Sequence, residues 1–266
     1  MQAAGKNILS VDNVFLIRCG LLWHRFFSYG KQEADIVSEQ AAQAQHWIVL
    51  GDIHEGSPAL CEIPELAGAS GLLVTGDLTN LGGVARAKQI VADLRACNAQ
   101  VFAQIGNMDR TEVDAWLSCE EINLHRTVRE LAPDVAVFGV GGSIFTPFGT
   151  PSEFPESKFS IWLEECWQKA CHYPVKILIA HNPPFGTACD IVTSGAHVGS
   201  RAVQEFIEEY QPDICFCGHI HESRALDRLG RTQIVNPGAF VHGYYATLTR
   251  DTDGQFFTAL HSLAKK

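Results

Sequence analysis

From about residue 46 onward, short apolar runs alternate with longer amphipathic segments. The runs are HWIVL (46–50), GLLVT (71–75), VFAQI (101–105), VAVFGV (135–140), VKILIA (175–180) and DICFC (213–217). Their length suits buried strands. Between them lie helical segments at about 81–96, 111–118, 153–170 and 200–210. In the first, Val84, Ala87, Val91 and Leu94 recur every three or four residues, the signature of one buried helix face. Ser200 reads as the cap of a helix that begins at Arg201. Past residue 222 the texture changes to two hairpins, turning near Leu229-Gly230 and near Asp253-Gly254. A chain that runs from alternating β and α into antiparallel β predicts an α/β (α+β) protein with mixed sheets, not one doubly wound parallel sheet.

Five of these apolar runs end in the same way. VLGDIH presents Asp52 and His54, LLVTGDLTN presents Asp77, FAQIGNMD presents Asn107 with Asp109 behind it, ILIAHNPPFG presents His181, and CFCGHIH presents His219 and His221. A glycine directly precedes the first such residue in four of the five, as tight turns and close backbone approach require. Loops at the carboxyl ends of strands form the ligand crevice of open α/β sheets. A single Gly-Asp after a strand is commonly a cap or turn; five such elements in order are not explained that way. The side chains supply three carboxylate or amide oxygens and four imidazoles. That mixture suits Mn, Fe, Zn, Ni or Co better than Ca or Mg. Seven ligands exceed the needs of one ion and suit two ions roughly 3.5–4 Å apart.

Composition narrows the picture. The chain has 266 residues, 46% of them hydrophobic, enough for one sizeable core. A net charge of −10 argues against a nucleic-acid-binding surface, whereas a phosphoester could still be bound if metal cations offset the repulsion. Nine cysteines without a CxxC pair, and without a secretory signal, point to a reducing cytoplasm; Cys215 and Cys217 read as small core residues. Residues 1–45 read as an N-terminal extension, partly helical, ahead of a domain at 46–266. Its apolar stretch at 13–29 is interrupted by Arg18, His24 and Arg25, too short a run to span a membrane. Packing on the domain or on a neighbouring subunit is a better reading of it than membrane contact.

The order D-x-H, G-D, G-N-x-D, H, G-H-x-H, spread over residues 49–221, resembles the calcineurin-like metallophosphoesterase superfamily, and NPGAF (236–240) is similar to a segment common in that family. The resemblance implies a four-layer αββα sandwich, two mixed β-sheets flanked by helices. It implies two divalent metal ions, manganese favoured: Asp52, His54 and His221 on the first, Asp77 as the bridge, and Asn107, His181 and His219 on the second. It further implies a metal-bridging hydroxide that attacks phosphorus in line, on a small phosphoester substrate that Asn107 and His181 help to bind.

One position departs from the family pattern. Many members read G-N-H-D/E, with a histidine that protonates the leaving group, and here Met108 stands in its place. A thioether cannot donate a proton, and a lost general acid costs about 10²–10⁴-fold with a poor leaving group. The chain therefore resembles branches without that histidine, including predicted phosphoesterases related to cyclic-nucleotide phosphodiesterases, and small phosphodiesters or nucleotides are the favoured substrates. His197, in a glycine-rich loop before a helix, is the candidate replacement catalyst and substrate contact, with Ser200 beside it. Asp109 is expected to orient a ligating group, and Asp190 to serve its own loop. The alternatives are a phosphomonoesterase or pyrophosphohydrolase of the same fold, or a non-catalytic binding module.

Overall fold

Alternate residues of the strand Gln45–Leu50 (β1) enter two different cores. Trp47 and Val49 pack with Val137, Ile177, Ile179 and Phe216, whereas Ile48 and Leu50 pack with Ala87, Ile90, Val91 and Leu94 of a helix. A strand buried on both faces reads as an unbroken apolar run, which is what the sequence displays. The structure, a computed structural model, describes residues 44–98 and 100–263. The N-terminal extension expected at 1–45 lies, up to residue 43, outside the described residues.

After β1 come β2 (Gly71–Val74), α1 (Val84–Cys97), β3 (Val101–Ala103), α2 (Thr111–Cys119), β4 (Val128–Ala132), β5 (Val135–Val140), α3 (Glu156–Ala170), β6 (Val175–Ala180), α4 (Arg201–Tyr210), β7 (Ile214–Phe216), β8 (Ala225–Leu229), β9 (Thr232–Asn236), β10 (Tyr244–Arg250) and β11 (Phe256–Ser262). Five strands form one sheet in the order β11-β10-β1-β2-β3, and six form the other in the order β4-β5-β6-β7-β9-β8. Within the first, β1, β2 and β3 run parallel; within the second, β5, β6, β7 and β9 do. Both outer hairpins are antiparallel, as their sequences predict. One core lies between the sheets, a second under α1 and α2, and a third under α3 and α4. These are the layers of an αββα sandwich.

Element boundaries moved for local reasons. The first helix starts at Val84, after Gly82-Gly83, and α3 starts at Glu156, after Pro155. β4 was not anticipated: it carries Arg129 and Glu130 on the edge of its sheet and, among the described residues, pairs only with β5. Cys215 and Cys217 are buried in the core under α3 and α4, as small apolar residues. Among the described residues, no helix is long and apolar enough to cross a membrane.

Candidate metal centre

The parallel strands carry their C-terminal loops to one edge of the sandwich, where the polar run-ends converge. Asp52 and His54 follow β1, Asp77 follows β2, Asn107 follows β3, His181 follows β6, and His219 and His221 follow β7. Four of these seven, Asp52, His54, Asp77 and His219, have positive φ (51°, 43°, 50° and 67°). That left-handed backbone is disfavoured for residues with a Cβ, and such strain gathers at functional sites. Neighbouring glycines let the loops approach. A Cβ on Gly106 would lie 2.0 Å from Asp77 Oδ1, and one on Gly218 would lie 2.6 Å from Asp52 Oδ2.

The side chains meet in two overlapping groups. In the first, His221 Nε2 lies 3.3 Å and His54 Nε2 4.0 Å from Asp52 Oδ1, and the two imidazole nitrogens are 3.2 Å apart. In the second, Asn107 Oδ1 lies 3.1 Å from His181 Nε2 and 2.7 Å from His219 Nδ1. Asp77 Oδ2 stands between them, 3.7 Å from His54 Nε2 and 3.5 Å from His181 Nε2. Its other oxygen accepts the Met108 backbone N–H at 2.8 Å. Ligand atoms of Asp52, His54 and His221 lie within 4.8 Å of one another, as do those of Asp52, Asp77 and His181.

Electrostatics match a cation site. Burial by itself would raise the Asp52 carboxyl, but a hydrogen bond from His221 and the charges of His181, His221 and His54 hold it at about 2. Burial opposes charge on His181, yet the carboxylates of Asp77, Asp52 and Asp109 lift it to about 9. For His219, burial and the repulsion of His181 prevail and lower it to about 4. A hydrogen bond to Asp52 raises His221 despite its partial burial. Carboxylates that draw protons onto His181 and His221 call for positive charge, which divalent ions would supply. Imidazole nitrogen together with carboxylate and amide oxygen is a donor mixture suited to transition metals. The residues present therefore fit two ions.

A surrounding shell fixes the donors. Asp109 is buried and accepts from the backbone N–H groups of Leu78, Thr79 and Gly106 and from the Thr79 hydroxyl, holding the Asp77 and Asn107 loops together. Burial, then the charge of Asp77, raises its carboxyl to about 7. Asn236 donates through Nδ2 to the Ile220 carbonyl, between His219 and His221, while the N–H groups of Phe240 and Val241 bond the carbonyls of Gly51 and Asp52. The Asn-Pro-Gly segment thus braces two ligand loops. Sequence reasoning missed Thr150 and Glu153. Asn107 Nδ2 donates to Thr150 Oγ1 at 3.0 Å, and Thr150 Oγ1 donates to Glu153 Oε1 at 2.7 Å, so Asn107 is oriented with Oδ1 toward the cluster. FTPFGTPSEF has no periodicity that would mark this contact.

His197 and Ser200 part company. His197 donates from Nδ1 to Asp190 Oδ1 at 2.6 Å, and the buried Asp190 carboxylate also accepts from the N–H groups of Gly186, Thr187 and Gly199. His197 lines a cavity of about 860 Å³ that His219 also lines. Ser200 is buried; its Oγ donates to Glu156 Oε2 and accepts from the Val203 N–H at the start of α4. Its hydroxyl caps α4. His181 is also fully buried, with its Nε2 beside Asn107 Oδ1 and Asp77 Oδ2.

Comparison with known proteins agrees with this fold. Residues 47–223 match the family model for the calcineurin-like phosphoesterase. An uncharacterized protein of Methanocaldococcus jannaschii is 34% identical over 207 residues, covering 74% of this chain and 90% of that protein. Among solved structures, a protein of Thermus thermophilus shares the fold at TM-score 0.64 and 18% identity, over 84% of this chain and 100% of that one. A dimetal phosphatase from Danio rerio does so at TM-score 0.57 and 12% identity, over 83% and 99%.

Proposed function

The chain belongs to the calcineurin-like phosphoesterase family, and on that premise we propose that it is a dinuclear metal-dependent phosphoester hydrolase acting on small phosphodiesters or nucleotides. The observation that carries the reading is the convergence of Asp52, His54, Asp77, Asn107, His181, His219 and His221 at one edge of the sandwich. Asp52, His54 and His221 would hold one ion and Asn107, His181 and His219 the other, with Asp77 shared; manganese is the favoured metal. Bound there, two divalent ions supply Lewis-acid charge to the phosphoryl oxygens and lower the pKa of water.

The chain's own groups do the rest. Thr150 takes one amide hydrogen of Asn107, and the second is left for a phosphoryl oxygen, a donor aimed where negative charge grows. Asp190 fixes the His197 ring through Nδ1, and as an imidazolium the ring would give its Nε2 proton to the departing oxygen and be left neutral, the role that Met108 cannot fill. Acidic side chains flank the approach: Glu156 and Glu222 line the same cavity as His197. Arg201 lines it as well, so the preference for a diester rests on the resemblance to family branches that, like this chain, carry no histidine at the position of Met108.

Turnover of bis-p-nitrophenyl phosphate and p-nitrophenyl phosphate by the manganese-reconstituted protein tests this. The diester is expected to be hydrolysed faster; faster turnover of the monoester would move the assignment to a phosphomonoesterase.

A further inference from the structure

The cavity beside the metal centre has an unusual wall. Phe145 and Phe148 line it and are 68% and 85% exposed. Single exposed apolar residues are ordinary, but clustered ones mark binding sites. Here the two stand on one short loop, and that loop is not free to fold them away. Glu153 accepts from the hydroxyls of Thr146 and Thr150 and from the Thr150 N–H, and Thr150 in turn bonds the candidate ligand Asn107. The aromatic rim and the metal centre are therefore one mechanical unit.

Flat groups from other segments also line this cavity, among them Phe185, His197 and Arg201. The Arg201 guanidinium lies 3.9 Å from the centre of the Phe185 ring, and the His197 ring, braced by Asp190, lies 5.7 Å from that ring. Planar guanidinium and aromatic faces stack on planar ligands, and a hydrocarbon chain would gain nothing from Arg201 and His197 while stripping them of water. The volume, about 860 Å³, is ample for a base and a sugar together. Continuity with the centre comes through His219, which belongs to both.

We propose that this cavity receives a nucleoside arm of the phosphoester, its base lying among Phe145, Phe148 and the Phe185–Arg201 stack while its phosphorus faces the metal centre. The inference rests on the hydrolase reading and specifies its substrate class: nucleotide esters, not phosphosugars or phospholipids.

Calorimetric titration of the manganese-loaded full chain tests it with three probes. Adenosine 5′-monophosphate carries the base, ribose 5-phosphate is the same sugar phosphate without it, and dihexanoyl phosphatidate carries acyl chains instead. The adenosine ester is expected to bind at least about tenfold tighter than ribose 5-phosphate, the scale of one base–aromatic stack. The double variant Phe145→Ala/Phe148→Ala should lose about tenfold for the adenosine ester and leave ribose 5-phosphate unchanged; both side chains are exposed, so the fold tolerates their removal. Equal binding of the two sugar phosphates by metal-loaded protein would overturn the nucleoside arm and leave the hydrolase reading standing. Preference for the phosphatidate would overturn it in favour of a lipid ester. Failure to take up manganese or bind any probe would overturn both.

Discussion

His54 Nε2 and His221 Nε2 meet at 3.2 Å although 167 residues separate them in the chain. Two imidazole nitrogens so placed can share one proton at most, and Asp52 Oδ1 lies within reach of both. A divalent ion satisfies all three at once. His221→Ala is therefore expected to lower the metal content of the purified protein from two ions per chain toward one, read by inductively coupled plasma mass spectrometry. Unchanged stoichiometry would remove His221 from the ligand set.

The contact between Asn107 and Thr150 orients a ligand without itself reaching the cluster. Thr150→Val keeps the shape of the side chain and removes the hydroxyl that accepts from Asn107 Nδ2. Outer-shell substitutions of this kind cost about 10–100-fold in metal affinity, so a chelator competition should find one of the two ions weakened by that factor. Affinity within about twofold of the parent would mean that Asn107 needs no such support.

Ser200 closes the first turn of α4 together with Glu156, whose carboxylate also accepts from the N–H groups of Arg201 and Ala202. Removing an N-cap hydroxyl costs about 1 kcal/mol. Ser200→Ala should lower stability in urea by that order and leave KM unaltered. A KM raised severalfold at unchanged stability would restore Ser200 to the substrate.

His125 gives the fold an acid sensitivity of its own, outside the candidate ligand set. Its Nδ1 accepts the Gly141 N–H at 2.8 Å, and its ring packs edge-on to Trp162. Burial lowers its pKa from 6.5 to about 4, with Asp114 opposing and Arg126 reinforcing the shift. Above pH 6.5 the ring is neutral whether the chain is folded or not, and its contribution is constant. Between 6.5 and about 4 the unfolded chain takes up the proton and the folded chain does not, so stability falls as pH falls; below about 4 the loss levels off. The full loss is on the order of 3 kcal/mol. His125→Asn, whose amide oxygen can still accept from Gly141, should show a flatter urea midpoint across this range than the parent. Parallel pH profiles would assign the acid sensitivity elsewhere.

The strands and the seven candidate ligands were legible for one physical reason. Strands such as Gly71–Val74 and Val135–Val140 are buried along their whole length, so each reads as an apolar run, and the candidate ligands stand where such runs end. Contacts made across the fold by irregular chain left no such trace. Thr150 reaches Asn107 from a loop 43 residues away, and the Asn236 amide reaches Ile220 from a strand end. Periodicity cannot report either. Ser200 was read correctly as a cap; what its sequence context concealed was Glu156, whose carboxylate occupies the hydroxyl from another helix.

The central claim is that the edge where β1, β2, β3, β6 and β7 end is a two-metal catalytic centre. The most direct test measures metal content and diester turnover on the same samples of the full chain, stripped by chelator and then titrated with manganese. Turnover of bis-p-nitrophenyl phosphate should be absent in the stripped protein and should rise with occupancy to a plateau at two ions per chain. Full turnover by the stripped protein, or a plateau at two ions with neither p-nitrophenyl ester hydrolysed, would contradict the account.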